Sequence, residues 1–166
     1  MANVQAAIDY VLSWEDSTLQ GKITVDPGGR TRFGIAEKFH PELTNSLFYT
    51  SMGQLAALEI ARSIYDISYC QPLCIAEITD QDVANKLLSL GVNVGVVTAA
   101  KMLQDAVMVA GDGRIGPLTL SKLESLDQQR VLDNLRDEAE NYYSALIERH
   151  PEDAVYRAGW LRRAEA

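Results

Sequence analysis

Apolar residues at Val4, Ile8, Val11 and Leu12 recur at the three- and four-residue spacing of one helix face. The stripe runs on to Glu15, four residues after Val11 and three after Leu12. This pattern predicts a first helix whose buried face ends in a carboxylate. Between Thr18 and Ile35 the period changes. Short β-prone pieces, Lys22 to Val25 and Thr31 to Ile35, flank the turn signal Asp26-Pro27-Gly28-Gly29, which predicts a small hairpin or twisted loop.

Helical patterning then returns. Ser51 with Gln54 has the form of a capping box before the stripe Leu55, Leu58, Ala61, Tyr65, and Thr79 with Asp82 that of another before Val83 and Leu87. Ala99, Met102, Leu103, Ala106 and Val107 give a further apolar face that Gly111-Asp112-Gly113 ends. Pro117 suits the first turn of a short helix reaching about Leu126. A last long helix puts Leu132, Leu135, Ala139, Tyr142 and Leu146 on one side, and Pro151 interrupts it. Six or so helices with one β element predict a mainly α (α+β) fold. There is no internal repeat and no obvious linker.

The chain's 166 residues, 47% hydrophobic and 23% charged, are those of one self-sufficient globular unit, so residues 1–166 are expected to form a single domain. Fifteen basic residues against 23 acidic ones give a net charge of −8, which offers no basic face to phosphates and argues against nucleic acid as a partner. The same balance gives no long-range attraction to an anionic wall. Met1 to Ser13 contain no Lys or Arg and have no small-residue cleavage site, so a signal peptide is not expected, and no apolar run approaches a membrane span. Cys70 and Cys74 are too few for a disulfide framework; two partly buried free thiols are expected, a local disulfide being the alternative. His40 and His150 are isolated, and no metal-binding or phosphate-cradling motif occurs, so no metal and no cofactor are expected.

The candidate chemistry lies near the first helix end. Breaking a glycosidic bond needs an acid that is protonated when it meets the leaving oxygen, and usually a second carboxylate to direct water or stabilise positive charge. Glu15, ending an apolar stripe, fits the acid, because partial desolvation favours the neutral carboxyl; a solvated Glu in a last helical turn is the plainer account. Asp26 is the candidate second carboxylate, though Asp before Pro-Gly-Gly is also simply a good turn residue. Thr31 offers a hydroxyl for water or sugar, and Gly28 and Gly29 leave room for a ligand to approach the backbone.

A helix-end Glu15 followed by Asp26-Pro27-Gly28-Gly29-Arg30-Thr31-Arg32-Phe33-Gly34-Ile35 resembles the opening of the glycoside hydrolase family 108 muramidases. Leu90 to Gly95, Ala99 to Gln104, Gly111 to Leu120 and Gly159-Trp160-Leu161-Arg162-Arg163 resemble the predicted peptidoglycan-binding region that follows in that family. The resemblance implies a lysozyme-like helical domain with a small β-hairpin after the catalytic helix. It divides the chain into a catalytic segment, residues 1–75, and a peptidoglycan-binding-like region, residues 76–166, packed on it. It also implies Glu15 as general acid, assisted by Asp26 and Thr31, and peptidoglycan glycan strands as the partner. Two departures stand out: Glu15-Asp16-Ser17-Thr18 replaces the family's Glu-Gly-Gly-Tyr, and the gap from Glu15 to Asp26 is a residue or two longer than usual.

Asn93 and Tyr142 are candidate sugar contacts, against the alternatives of a buried Asn holding backbone and a core tyrosine; Trp14 and Trp160 pose the same choice. The expected activity is a monomeric lysozyme cleaving the β-1,4 bond between N-acetylmuramic acid and N-acetylglucosamine, made in the cytoplasm. It would act in the periplasm or cell wall as a phage-type endolysin or as an exported antibacterial effector with an immunity partner. A catalytically weak wall-binding module and a lytic transglycosylase are the alternatives.

Overall fold

The computed structural model describes every residue except Pro27 and Gly28, and Asp26 in its backbone only. Helix α1, Val4–Glu15, starts where the Asn3 side chain accepts the Ala6 N–H, and it buries Ala7, Ile8, Val11 and Leu12. It stops at Asp16, whose backbone leaves the helical region. The Asp16 carboxylate accepts hydrogen bonds from the Thr18 N–H and hydroxyl and, at 2.7 Å, from the Gly21 N–H. In place of a Gly-Gly loop this chain therefore has one tied by a carboxylate, and these bonds outweigh burial to hold the Asp16 carboxyl below its ordinary value.

Three short antiparallel strands follow: β1 (Thr24–Asp26), β2 (Gly29–Arg32) and β3 (Ile35–Ala36), in the order β1-β2-β3. Thr31 lies opposite Thr24 on one side and Ala36 on the other. The expected hairpin is the first strand pair, but the stretch expected as one β piece, Thr31 to Ile35, is broken into two strands. Phe33 and Gly34 have φ of +51° and +76°, the two-residue reversal that joins β2 to β3.

After 3₁₀ turns over residues 37–49, helix α2 spans Gln54–Tyr65 from an N-cap at Gly53. Ser51 and Gln54 thus form no capping box: Gln54 is the first helical residue, and its amide reaches across to donate to the Leu19 carbonyl at 2.6 Å. Leu55 faces solvent, while Leu58, Ala61 and Tyr65 are buried. Helix α3 spans Gln81–Val94, capped by the Asp80 carboxylate and not by Thr79. Gly95, at φ +88°, separates it from α4 (Val96–Ala106). Helices α5 (Pro117–Glu124, with Pro117 in its first turn), α6 (Gln128–Arg149) and α7 (Arg157–Glu165) complete the chain, a 3₁₀ segment at Pro151–Tyr156 separating the last two. On α6 it is Tyr143 that is buried, with Tyr142 half-buried beside it.

A single contiguous apolar cluster runs from Ala7 on α1 to Ala164 on α7, so residues 1–75 and 76–166 share one core. Helix α3 is its centre, packed against α1, α4 and α6, and α7 lies along α6. Lys86 on α3 is buried among these helices, and its ammonium donates to the Arg163 and Ala164 carbonyls at the end of α7. Desolvation pushes it down to about 8. Both thiols are free; Cys70 is buried, which pushes it up to about 12. No helix among the described residues is long and apolar enough to cross a membrane.

Candidate active site

Glu15 ends α1 with its side chain 23% exposed, between two depressions of about 200 and 240 Å³ that share Glu15 and Gly34. The first lies toward the helices, lined by Tyr65, Tyr69, His40 and Asn93. The second lies toward the sheet, lined by Asp16, Lys22, Thr24 and Thr31. The carboxyl thus sits in a concave, semi-enclosed setting open on two sides, the arrangement an extended polymer needs in order to pass over a reacting group.

Gly34 makes this approach possible. A Cβ there would stand 2.5 Å from the Tyr65 hydroxyl and 3.0 Å from the Glu15 side chain, so the β2–β3 turn comes this close to α1 only because residue 34 has no side chain. The Tyr65 hydroxyl donates to the Phe33 carbonyl at 3.0 Å and pins the same turn from the α2 side. Burial first, and the charge of Glu15 second, push this phenol above its ordinary value, so it stays protonated.

One oxygen of Glu15 accepts a 2.8 Å hydrogen bond from Nη2 of Arg163, on α7. The C-terminal helix therefore reaches back across 148 positions of sequence to the end of the first helix. Among the described residues, no other side chain or backbone group bonds to the Glu15 carboxyl. The bonded oxygen is closed to a ligand until Arg163 moves.

The sequence-predicted residues fall into three groups. Glu15 and Thr31 line the same depression, and Asn93 lines the one on the other side of Glu15. Asn93 holds a side chain, not backbone: its carbonyl oxygen accepts the Tyr143 hydroxyl at 2.7 Å. Asp26 ends β1 opposite Gly29, its side chain outside the described residues, as is all of Gly28. Gly29, at φ +111°, has Glu37 as its nearest side chain and opens β2. Tyr142 packs edge-on against Tyr143, with ring centroids 5.7 Å apart, and lines neither depression beside Glu15. Sequence reasoning missed Arg163, Tyr65 and Tyr69, which reach Glu15 from distant helices and carry no local signal. It also missed the closeness of Gly34, for which the glycine inside a β-prone run was the available sign.

A carboxyl at a helix end is set in a groove beside a small antiparallel sheet in a mainly helical body, and the family match gives the class: a lysozyme-like glycoside hydrolase. Two family models match the chain, glycosyl hydrolase 108 over residues 8–95 and a predicted peptidoglycan domain over residues 98–165. The chain belongs to glycosyl hydrolase family 108 and is a peptidoglycan-acting glycosyl hydrolase. No curated protein matches it. Among solved structures, that of Brucella abortus SagA is similar, with a TM-score of 0.74 and 23% identity over 98% of this chain and 89% of that one, which establishes a shared fold.

Proposed function

We propose that this protein is a monomeric N-acetylmuramidase that cleaves the β-1,4 bond between N-acetylmuramic acid and N-acetylglucosamine, with Glu15 as the proton donor. The observation that carries this reading is the half-enclosed Glu15 carboxyl at the junction of two depressions, one of them bearing Thr31. In this reading the glycan strand lies along both depressions with its scissile oxygen at Glu15. Protonation of that oxygen lets the bond break with positive charge building on the anomeric carbon. Thr31, with Asp26 as the second carboxylate on the neighbouring strand, orders the water or stabilises the glycosyl cation. Gly28 and Gly29 contact the glycan on the sheet side, and Asn93 contacts it on the other.

The test is digestion of purified peptidoglycan followed by mass analysis of the fragments. A muramidase leaves reducing N-acetylmuramic ends; 1,6-anhydro ends would make the enzyme a transglycosylase and overturn the hydrolytic reading. Glu15→Gln is expected to abolish fragment release, and a fully active Glu15→Gln protein would overturn the assignment of the acid. As to delivery, an exported antibacterial effector acting in the periplasm is favoured over a phage-type endolysin, because a net charge of −8 suits neither adsorption to an anionic wall nor capture by it. Protection of a producing cell by coexpression of a neighbouring gene, an immunity partner that blocks the groove, would support the effector; lysis only alongside a pore-forming protein would overturn it.

A further inference from the structure

A third concavity, of about 490 Å³, is larger than either depression beside Glu15 and lies between the end of α1 and α7. Trp14, Tyr156 and Trp160 supply its aromatic surface and Asn93, Arg162 and Arg163 its polar groups. Trp160 is held in place by Tyr143, stacked at 5.5 Å and 17°, and by Tyr156 at 5.7 Å. Trp14 and Tyr156 keep 39% and 58% of their surface exposed, so apolar faces are on offer to a ligand. In a chain of net charge −8 the charged side chains lining this pocket are two arginines, with no carboxylate among the described lining residues. The pocket is thus aromatic, with Arg162 paired to no carboxylate among the described residues and Arg163 paired to Glu15 at its edge, a fit for a carboxylate-bearing sugar.

Two residues join this pocket to the groove. Asn93 lines both, and because its carbonyl oxygen is taken by the Tyr143 hydroxyl, its amide N–H groups remain as donors for an acetamido carbonyl. Arg163 lines the pocket while its Nη2 holds Glu15, and its Nη1 is buried without a partner. That guanidinium meets Glu15 through one arm only and lies 5.9 Å from the Trp14 ring, whereas its planar fork can grip both oxygens of one carboxylate once it turns. A ligand carboxylate offers the better bargain.

Resting on the function proposed above, we infer that this pocket binds the carboxylate-bearing substituent at the 3-position of an N-acetylmuramic residue, and that Arg163 passes from Glu15 to that carboxylate on binding. The exchange frees both oxygens of Glu15 as the strand arrives. Arg163 is then a positioning and specificity residue: a strand without the acidic substituent leaves Glu15 latched.

Both tryptophans of the chain line this pocket, so intrinsic fluorescence reads its occupancy without any turnover. Three uncleavable probes separate the sources of charge: N-acetylmuramic acid presents the lactyl carboxylate, muramyl dipeptide a peptide carboxylate, and N-acetylglucosamine neither. At least one of the first two should shift the emission saturably and bind the wild-type protein tenfold or more tightly than N-acetylglucosamine. Arg163→Gln should erase that preference and Arg163→Lys restore part of it. Glu15→Gln, which loosens the latch, should bind the acidic probe several-fold more tightly. Equal binding of all three probes, no binding of either acidic one, an undiminished preference in Arg163→Gln, or no gain in Glu15→Gln would overturn the inference. Because these readings need no catalysis, they fail separately from the muramidase assignment, which Glu15→Gln tests on walls.

Discussion

The two sides of the groove are held together by different forces. The side that carries Glu15 is rooted in apolar packing: α1 buries Ala7, Ile8, Val11 and Leu12 against a helical core in which Leu87, Leu103 and Leu135 are fully enclosed. The side that carries Thr31 is wired by arginines. Arg32, buried in β2, donates to the Gly21, Phe48 and Met52 carbonyls at 2.8 to 3.0 Å, tying the Asp16–Gly21 loop, the sheet and the approach to α2 into one piece. Arg30 grips Glu37 through Nε and Nη2 at 2.9 and 2.6 Å. Val25 and Phe39 on this side point into solvent. The sheet side gives Phe33, Ile35, Phe48 and Tyr49 to the shared core, but its strands are only two to four residues long and are tied to their surroundings by directed, charge-assisted bonds, so it can be loosened before the helices unfold.

That contrast predicts a graded set of responses. Leu135→Ala cuts into the shared core and should cost about 2–5 kcal/mol of unfolding free energy, lowering the midpoint of the whole molecule in one transition by circular dichroism. Arg32→Met leaves three carbonyls without their donor and should cost roughly 3 kcal/mol. Hydrogen exchange would rise over residues 16–50 while α3 and α6 stay protected; equal deprotection of both sides would refute the division. Gly34→Ala must hold an L-residue at φ +76° and push against Tyr65 and Glu15, a penalty of about 1–2 kcal/mol for the backbone alone. Wall digestion should fall much further than stability does, because the groove beside Glu15 is displaced.

The smallest effect is on pH. The Arg30 guanidinium holds Glu37 at about 2, below its ordinary 4.5. A depressed folded-state value means that this stabilisation is complete above about 4.5 and is lost as pH falls from there toward about 2. Exchange protection of β2 should therefore fade in that window before that of α3, and Glu37→Gln should remove the pH dependence.

The helical side was legible because period-3.6 stripes persist over many residues: the apolar faces of α1 and α4 agree with the sequence pattern, and Pro117 and Pro151 mark the boundaries they predict. The sheet side was harder to read. The turn at Phe33–Gly34 has no strong sequence sign, since a phenylalanine at positive φ is tolerated only because its ring is buried and Tyr65 anchors its carbonyl. The cap of α3 lies one residue beyond Thr79, at Asp80, whose charged carboxylate accepts the Asp82 and Val83 N–H groups. Of the candidate site, the helix-end Glu15 and strand Thr31 were readable from the local motif. Arg163 was not, because its meeting with Glu15 depends on how α7 returns along α6 and is fixed by Lys86, and no spacing within either segment encodes that.

The central claim is that Glu15 donates the proton to a departing sugar oxygen, and the most direct measurement varies how much that oxygen needs one. Rates of wild type and Glu15→Gln would be compared on a natural disaccharide-repeat glycan and on the same disaccharide carrying a 2,4-dinitrophenyl leaving group. Loss of a general acid should slow the natural linkage by roughly 10²- to 10⁴-fold. The dinitrophenolate leaves without protonation, so that substrate should slow far less. An equal loss on both substrates, or no loss on either, would contradict the account.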